Sequence, residues 1–390
     1  MSQSTAVFQP MPRVVQCTGA LAQNLPAELA RFNAKKILIV TDQGLVASGI
    51  PANVRGLLAA QYQVDIYSDI ESDPSVECVD QCADHVKKNG FDLILGLGGG
   101  SPIDTAKCVS VLATNPGRTA DYLGIEKVLC PGLPKIFIPT TAGTGSEVTN
   151  VAVLSLKAEQ TKKGIVSRYL MADSAILDAA LTADLPARVT AATGMDALTH
   201  AIEAYVSRYA QALTDYFALE AIRRIGRSLR TAVHYGGNLA AREDMMVASF
   251  YAGLAFGSAA TGMVHGLAMP LGGLYGIPHG IANAVLLPHV MRYNLVAATQ
   301  RFADIALALG EPTRNLSVRA AAERAIAAVE SLSQDIGIPR HLDDLKIPRS
   351  GIGDIARDGM TNSRQVLPNP RHVSYDGLVA ILESAFRAEA

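Results

Sequence analysis

The sequence lacks an excess of charge of either sign. Lysine and arginine together number 34 against 36 aspartates and glutamates, which gives a formal net charge of −2. Nucleic acids and acidic membrane surfaces attract proteins that present a basic face, so this balance argues against both as partners. The chain also has no internal repeat and no low-complexity segment, which argues against a solenoid and against a flexible tether.

Cysteine is scarce, and a signal for export is missing. The five cysteines form an odd set without the spacing of a zinc site, which predicts reduced thiols in a cytoplasmic protein. The first fifteen residues hold no basic segment followed by an apolar run, so we expect no secretion. Residues 245–264 carry no charge over a length that could cross a bilayer, yet their small residues and methionines predict a helix buried on all sides.

Apolar residues are abundant, at 49% of the 390-residue chain, and they suffice for the cores of two domains. Up to about residue 185, short β-branched runs alternate with helical patterns, which indicates βαβ units and a mostly parallel sheet. These runs lie at residues 36–40, 64–67, 92–95, 135–138 and 175–178. Beyond residue 186, alanine-rich stretches with a spacing of three and four residues predict helices, for example at 188–208, 214–234 and 317–336.

We therefore predict an α/β domain over residues 1–185 and an all-helical domain over residues 186–390. No flexible linker separates them, so the boundary near Leu185 and Pro186 is expected to act as a hinge between packed domains. Pockets form preferentially between domains, and we expect the active site in the cleft.

A glycine-rich turn, GLGGGSPID at residues 96–104, follows one predicted strand and opens a helical pattern. Its glycines leave backbone N–H groups uncovered beside a helix N-terminus, where they and the helix dipole attract a pyrophosphate. We expect Ser101 to cap this helix, Pro102 to take its first position and Asp104 to reach back to the cap amide. The spacing departs from the usual dinucleotide fingerprint, because serine stands where a third glycine is expected. A tightly packed turn without a ligand is the alternative.

Two further features indicate a dinucleotide ligand. The loop PTTAGTGSEVT at residues 139–149 also follows a predicted strand, and its hydroxyls and glycines suit a ribose and an amide. Asp42 ends the first predicted strand, where a carboxylate accepts hydrogen bonds from a ribose and repels a phosphate. This favours NAD over NADP, although an aspartate after a strand is also a common turn residue.

One carboxylate and three histidines form a candidate metal-binding set. Asp196 and His200 stand four residues apart in a helical pattern, which puts both on one face. His265 and His279 follow in apolar, glycine-flanked surroundings, where an imidazole needs a partner. Such nitrogen and oxygen ligands suit Fe(II) or Zn(II) and can leave a coordination position open for a substrate. We interpret His289 as structural and assign no role to the histidines at positions 85, 234, 341 and 372.

Taken together, these segments resemble the iron-dependent group III alcohol dehydrogenases over nearly the whole chain. The segments TGMDALTHAIEAYVS at 193–207 and HGLAMPLGGLYGIPHGIANAVLLPHVMRYN at 265–294 carry the similarity most clearly. The resemblance implies an N-terminal dinucleotide-binding domain of the dehydroquinate synthase type, a C-terminal helical catalytic domain and a homodimer. It implies a divalent metal, Fe(II) or alternatively Zn(II), held by Asp196, His200, His265 and His279. It also implies NAD contacts at positions that match the family pattern: Asp42, Gly99, Gly100, Ser101, Asp104, Thr140, Thr141, Thr144, Thr149 and Lys162.

Two positions depart from that family pattern. Met269 stands four residues after His265, where similar members often carry histidine or tyrosine, and methionine cannot shuttle a proton. Asp73 precedes Pro74 where the family commonly has asparagine near the cofactor, so it adds a negative charge there.

The predicted function is the NAD-dependent interconversion of a small primary alcohol or diol and its aldehyde, by hydride transfer at a metal that binds the substrate oxygen. Val151, Phe256, Met269 and Leu274 are expected to line a small, largely apolar pocket. One alternative is a lyase resembling dehydroquinate synthase, whose acidic sugar phosphate needs basic residues that are missing between His265 and His279. The other is a pseudoenzyme that binds NAD and a structural metal.

Overall fold

The computed structural model describes residues 8–159 and 161–387. The described residues form two compact units, one of residues 10–183 and one of residues 184–387, and the second also includes residues 8–9. We call them the sheet unit and the helical unit. The predicted absence of an export signal concerns residues 1–15, of which 1–7 lie outside the described residues.

Parallel strands form the centre of the sheet unit, which confirms the fold class predicted from the alternating pattern. The strands are β1 (Arg13–Gln16), β2 (Lys36–Val40), β3 (Gln63–Tyr67), β4 (Leu93–Gly98), β5 (Gly124–Ile125), β6 (Lys135–Pro139), β7 (Val151–Leu156), β8 (Thr161–Val166) and β9 (Ser174–Leu177). Among the described residues, six strands pair in parallel in the order β1-β9-β6-β4-β2-β3. A smaller sheet has the order β5-β8-β7, and β7 and β8 pair antiparallel.

Both faces of the larger sheet are covered by helices, which explains why its central strands β9, β6, β4 and β2 are mostly apolar and buried. The helices are α1 (Ala20–Leu29), α2 (Gln43–Ala47), α3 (Ile50–Leu58), α4 (Val76–Asn89) and α5 (Gly100–Leu112). In β2, Leu38 and Val40 pack with α4 and α5, whereas Ile37 and Ile39 pack with α1 and α3. The loops after β2, β4 and β6 begin at one edge of the sheet, because parallel strands end on the same side.

The helical unit consists of helices in its described residues, as the spacing of its apolar residues predicts. They are α6 (Ala187–Val206), α7 (Ala212–His234), α8 (Leu239–Ala259), α9 (Met263–Tyr275), α10 (His279–Asn294), α11 (Thr299–Ala308), α12 (Val318–Asp335), α13 (Ile352–Thr361), α14 (Ser363–Val366) and α15 (Tyr375–Ser384). The three stretches named above correspond to α6, α7 and α12.

The uncharged stretch at residues 245–264 is mostly buried but is not one helix, contrary to the prediction. α8 ends at Ala259, and Ala260 has φ of +60°, a value that a side chain with Cβ disfavours and that breaks the helix. The chain then turns into α9 at Met263. No described helix is by itself long and apolar enough to span a membrane, and α8 and α9 meet that criterion only as a pair bent by 102°.

All five cysteines are free. Cys78, Cys82 and Cys108 are buried in the sheet unit, and the other two are half-buried. Burial raises the pKa of the Cys82 and Cys108 thiols, because a thiolate would lose its hydration there.

Candidate functional site

Helix α6 carries the first pair of predicted metal ligands on one face. Asp196 and His200 are separated by one turn, and both are buried within the helical unit. The Nδ1 atom of His200 lies 4.0 Å from Oδ2 of Asp196. The spacing of four residues therefore places both side chains together, as expected for a helix.

The other two predicted ligands lie at the starts of two consecutive helices. His265 is in the first turn of α9, and His279 is the first residue of α10. The Nε2 atoms of His265 and His279 each lie 3.8 Å from Oδ1 of Asp196. The ligand atoms of these three residues are all within 4.8 Å of one another, a spacing that fits a shared metal ion.

His200 lies beside this group of three. Its ring stacks on the His265 ring at a centroid distance of 4.5 Å and on the Phe256 ring at 4.2 Å. One carboxylate oxygen and imidazole nitrogens without a thiolate form a donor set that suits a divalent ion of the iron or zinc type. The chemistry of the residues therefore fits the predicted metal.

Glu203 orients His265 and was missed in the sequence. Its Oε2 atom accepts a hydrogen bond from Nδ1 of His265 at 2.6 Å, and Oε1 accepts the backbone N–H of Val264 at 2.6 Å. With Nδ1 engaged, Nε2 is the nitrogen that faces Asp196, an arrangement typical of metal-binding histidines. Burial disfavours the charged imidazole, but the carboxylates of Glu203 and Asp196 together outweigh burial and raise the pKa of His265.

Asn283 marks the centre that the ligand atoms share, and it too was missed. Its Nδ2 atom lies 2.7 Å from Oδ1 of Asp196, 3.2 Å from Nε2 of His265 and 3.1 Å from Nε2 of His279. Its Oδ1 atom is buried without a hydrogen-bond partner in the described part of the chain. The signal in the sequence was its position one helical turn after His279, and Glu203 similarly follows His200 by three residues.

The glycine turn joins β4 to α5 at the carboxyl edge of the sheet. Gly98 has φ of +151°, and a Cβ atom built on it would lie only 2.7 Å from Cγ of Pro102. Only glycine fits this turn without a shift of its neighbours. The turn brings the half-buried Gly99 and Gly100 to the N-terminus of α5, where backbone N–H groups suit a bound phosphate.

The helix after this turn begins earlier than predicted, so the predicted capping roles are wrong. Gly99 is the N-cap and α5 starts at Gly100, because glycine tolerates the turn geometry and no side-chain cap is needed. Ser101 lies inside the first turn, and its Oγ atom accepts the backbone N–H of Asp73 at 3.1 Å. Asp104 instead accepts hydrogen bonds from Oγ of Ser146 at 2.5 Å and from the N–H of Val153 at 2.9 Å.

The second polar loop lies against the glycine turn. The N–H of Thr140 donates to the carbonyl of Gly98 at 2.9 Å. A Cβ atom on Gly99 would lie 3.4 Å from Oγ1 of Thr141, and one on Gly100 would lie 3.0 Å from Cγ2 of Thr144. The structure thus brings together most of the predicted cofactor contacts from the two loops.

The remaining predicted cofactor residues have local partners. Asp42 caps α2, because its Oδ1 atom accepts the backbone N–H of Leu45 at 2.9 Å. This is the turn role that the sequence analysis gave as the alternative for Asp42. Nζ of Lys162 lies 2.8 Å from Oδ1 of Asp73, so the negative charge added by Asp73 is paired. Asp73 has φ of +56°, a conformation for which asparagine and aspartate are better suited than most residues.

The four residues expected to line the pocket have different surroundings. Phe256 stacks on His200, and Sδ of Met269 accepts a hydrogen bond from Nδ2 of Asn362 at 2.9 Å. Leu274 is 42% exposed, and Val151 is half-buried in β7.

Family models match both parts of the chain. The model described as iron-containing alcohol dehydrogenase matches residues 12–179. The model described as the C-terminal part of the Fe-containing alcohol dehydrogenase family matches residues 190–386.

Relatives and solved structures match over nearly the full length. The long-chain-alcohol dehydrogenase 1 of Geobacillus thermodenitrificans is 45% identical over 99% of this chain and 98% of its own. The crystal structure of a 1,3-propanediol oxidoreductase has a TM-score of 0.95 at 41% identity and covers 98% of this chain and 100% of that chain. The structure of sulfoacetaldehyde reductase from Bifidobacterium kashiwanohense in complex with NAD+ has a TM-score of 0.86 at 30% identity and covers 99% of each chain.

Proposed function

Because the chain belongs to the iron-containing alcohol dehydrogenase family, we propose that it interconverts a small primary alcohol or diol and its aldehyde, with NAD as the hydride carrier. The observation that carries this proposal is the convergence of Asp196, His265 and His279 on one centre in the helical unit. The family is one of oxidoreductases, so neither the lyase nor the pseudoenzyme alternative is favoured.

Asp196, His200, His265 and His279 are the residues that would hold the metal. A divalent ion bound there would act as a Lewis acid toward the oxygen of the alcohol or aldehyde. Glu203 fixes the orientation of His265 through Nδ1, and Asn283 contacts the same ligand atoms, so the set is held in place by hydrogen bonds.

The loops at the carboxyl edge of the sheet would hold NAD, which supplies the acceptor for hydride. The backbone of Gly99 and Gly100 at the N-terminus of α5 suits the pyrophosphate, and the Thr140–Thr149 hydroxyls suit the ribose and amide. Asp42, Ser101, Asp104 and Lys162 complete the proposed contacts. Support comes from the relative with bound NAD+, whose fold matches over 99% of each chain.

In this proposal, water or a ribose hydroxyl exchanges the proton with the substrate oxygen. Met269 has no ionisable group, and its sulfur atom accepts a hydrogen bond from Asn362. The chain thus has no proton carrier at the position where similar family members have histidine or tyrosine.

Replacement of a metal ligand tests the proposal. In His265→Ala and His279→Ala, we expect the metal bound per chain to fall close to zero and turnover of short alcohols and aldehydes to fall at least about a hundredfold. NADH binding should persist, since the proposed NAD contacts lie in the sheet unit. Metal is measured by mass spectrometry, and turnover is measured with NAD(H) and NADP(H) after anaerobic loading with Fe(II) or Zn(II).

His289→Ala is the matched control. This histidine lies on α10 like His279, but its Nδ1 atom contacts Oγ of Ser384 at 3.0 Å, away from the three ligands. It should retain metal and turnover, even if its unfolding temperature falls. Unchanged metal content and activity in both ligand variants would rule out the proposed site, and better activity with NADP(H) would contradict the role given to Asp42.

We also propose that the protein acts as a homodimer in the cytoplasm, on small-molecule alcohols and aldehydes. The dimer rests on the family resemblance, and the location rests on the reduced cysteines. Fluorescence microscopy of a tagged chain tests the location, and a signal confined to the cell envelope would contradict it.

A further inference from the structure

Asn283 is fully buried in α10, one helical turn after His279. An asparagine side chain has two different ends, because its NH2 group donates two hydrogen bonds and its carbonyl oxygen accepts them. A polar group that is buried without a partner costs free energy. Both ends of this amide therefore need partners, and the orientation of the side chain depends on which atoms surround each end.

The NH2 end of Asn283 faces acceptor atoms. Its Nδ2 atom lies 2.7 Å from Oδ1 of Asp196, 3.2 Å from Nε2 of His265 and 3.1 Å from Nε2 of His279. Because Nδ1 of His265 donates its hydrogen to Glu203, Nε2 of the neutral ring carries a lone pair. The NH2 group thus offers its hydrogens to the electron pairs that a metal ion would take.

The carbonyl end of Asn283 is buried without a hydrogen-bond partner in the part of the chain that the structure describes. Asn294, also on α10, differs in this respect. It donates from Nδ2 to Oδ1 of Asn369 at 2.9 Å and accepts from Nδ2 of Asn369 at 2.8 Å. The contacts of Asn294 engage both ends of its amide, whereas the hydrogen bonds of Asn283 are made by its NH2 end.

An NH2 group and a cation cannot both face the same ligand atoms. The hydrogens of the NH2 group carry partial positive charge, and the group has no acceptor to offer a metal. A carbonyl oxygen of asparagine, in contrast, is attracted to divalent cations. A half-turn about the Cβ–Cγ bond exchanges the two ends and leaves the outline of the side chain nearly unchanged.

We propose that Asn283 is a placeholder for the metal. Its NH2 group holds Asp196, His265 and His279 together when no ion is bound, and the amide turns its carbonyl oxygen toward the site when an ion binds. The inference rests on the proposed function, because it assumes that these residues hold a metal. Asn283 is thus a positioning residue that keeps the ligands assembled for loading.

Asn283→Asp tests the turn of the amide, because aspartate keeps the shape but has a second oxygen in place of the NH2 group. We expect the variant to bind Zn(II) at least about tenfold more tightly than the wild type, since both of its oxygens attract the cation. The affinity is measured by competition with a chromophoric chelator. Asn294→Asp is the matched control, and its affinity for Zn(II) should equal that of the wild type.

Asn283→Ala tests the placeholder in the metal-free protein. We expect the unfolding temperature of the metal-free variant to fall at least about 3 °C further than that of the Zn(II)-loaded variant, because only the metal-free form loses the hydrogen bonds from Nδ2. Asn294→Ala should lower both temperatures equally, as expected for a residue that only supports the fold. Calorimetry of each protein with and without Zn(II) gives the four values.

The outcomes separate this inference from the proposed function. If Asn283→Asp does not fold, the two unfolding temperatures of Asn283→Ala decide the matter. One Zn(II) ion per wild-type chain, together with wild-type affinity in Asn283→Asp or equal temperature shifts in Asn283→Ala, would overturn the placeholder alone. A wild type that binds no divalent ion would overturn the proposed function itself.

Discussion

Glu147 is a buried carboxyl group in the loop at residues 139–149, with 2% of its surface exposed. Burial raises the pKa of Glu147 to about 7, and the nearby charge of Lys107 only partly opposes this effect. Between pH 4.5 and 7 the folded chain therefore binds this proton more tightly than the unfolded chain does. Its stabilising contribution is complete below pH 4.5 and is lost as the pH rises through about 7.

Glu147→Gln should remove this pH dependence, because glutamine imitates the protonated carboxyl group. We expect the variant to unfold with nearly the wild-type free energy at pH 4.5 and to be more stable than the wild type at pH 8. The shift of the Glu147 pKa from 4.5 to about 7 corresponds to a difference on the order of 3 kcal/mol. Urea unfolding at several pH values measures the difference.

Glu159→Gln is the control for this prediction, since Glu159 is exposed and paired with Lys163. Its free-energy difference from the wild type should not change between those pH values. An equally flat difference for Glu147→Gln would contradict the assignment of a raised pKa to this group.

At the level of single residues, the sequence predicted side chains whose chemistry recurs in a recognisable spacing. Asp196 and His200 stand one helical turn apart, and the structure places them together. Glu203 and Asn283 were missed because a carboxylate or an amide on a helix is usually exposed. Only their burial and their contacts reveal what they do, and those depend on segments distant in the chain.

Two helices of the helical unit touch at backbone level beside the metal ligands. A Cβ atom built on Gly280, in α10, would lie 2.4 Å from the carbonyl oxygen of Ala192 in α6. α10 carries His279 and α6 carries Asp196, so this contact sets how closely the two ligands approach. Only glycine, which has no side chain, fits at this contact.

Gly280→Ala should push α10 away from α6 and separate His279 from Asp196. We expect metal affinity to fall at least about tenfold, since ligands displaced by even a small distance lose coordination geometry. Loss of metal during dialysis against a graded series of chelator concentrations measures the effect.

Gly237→Ala is the matched control in the same unit, because a Cβ atom there would meet nothing within 4 Å. It should retain metal as the wild type does. Equal retention by Gly280→Ala would mean that the helices tolerate the methyl group and that this contact does not set the ligand distance.

At the level of elements, the five strands that contain a β-branched run were predicted well, and β1, β5, β7 and β8 were not predicted. β2, β4 and β6 are apolar apart from the lysines that begin β2 and β6, and they lie within a few residues of the predicted runs. β7 mixes buried and half-buried positions, and β8 is mostly half-buried and contains Lys162 and Lys163, so no apolar run predicted either strand. The sequence did not predict the break at Ala260, because its cause is a positive φ angle, which an alanine does not indicate.

For the whole molecule, the sequence predicted the structural class of each half, but it did not predict the order of the strands in the sheet. Composition and periodicity indicated a parallel sheet followed by helices, and both are present in the described residues. The place of β1 beside β9, with Arg13 aligned to Ser174, depends on pairing between segments distant in the chain. Local sequence patterns carry no information about such pairing.

The proposed homodimer is a statement about the whole molecule. We expect the purified holoprotein to have a molar mass near twice the 41.1 kDa of the chain. Light scattering coupled to size-exclusion chromatography gives this mass independently of shape. A mass equal to that of one chain across the accessible concentration range would contradict the dimer.

The burial of Cys82 and Cys108 is important for an enzyme whose substrates or products are aldehydes. Aldehydes are electrophiles that add to sulfur, and the reactive form of sulfur is the thiolate. Cys82 and Cys108 are buried and held in the neutral form, so they are neither reachable nor nucleophilic. The centre of the sheet unit is in this way protected from chemical damage by the enzyme's own product.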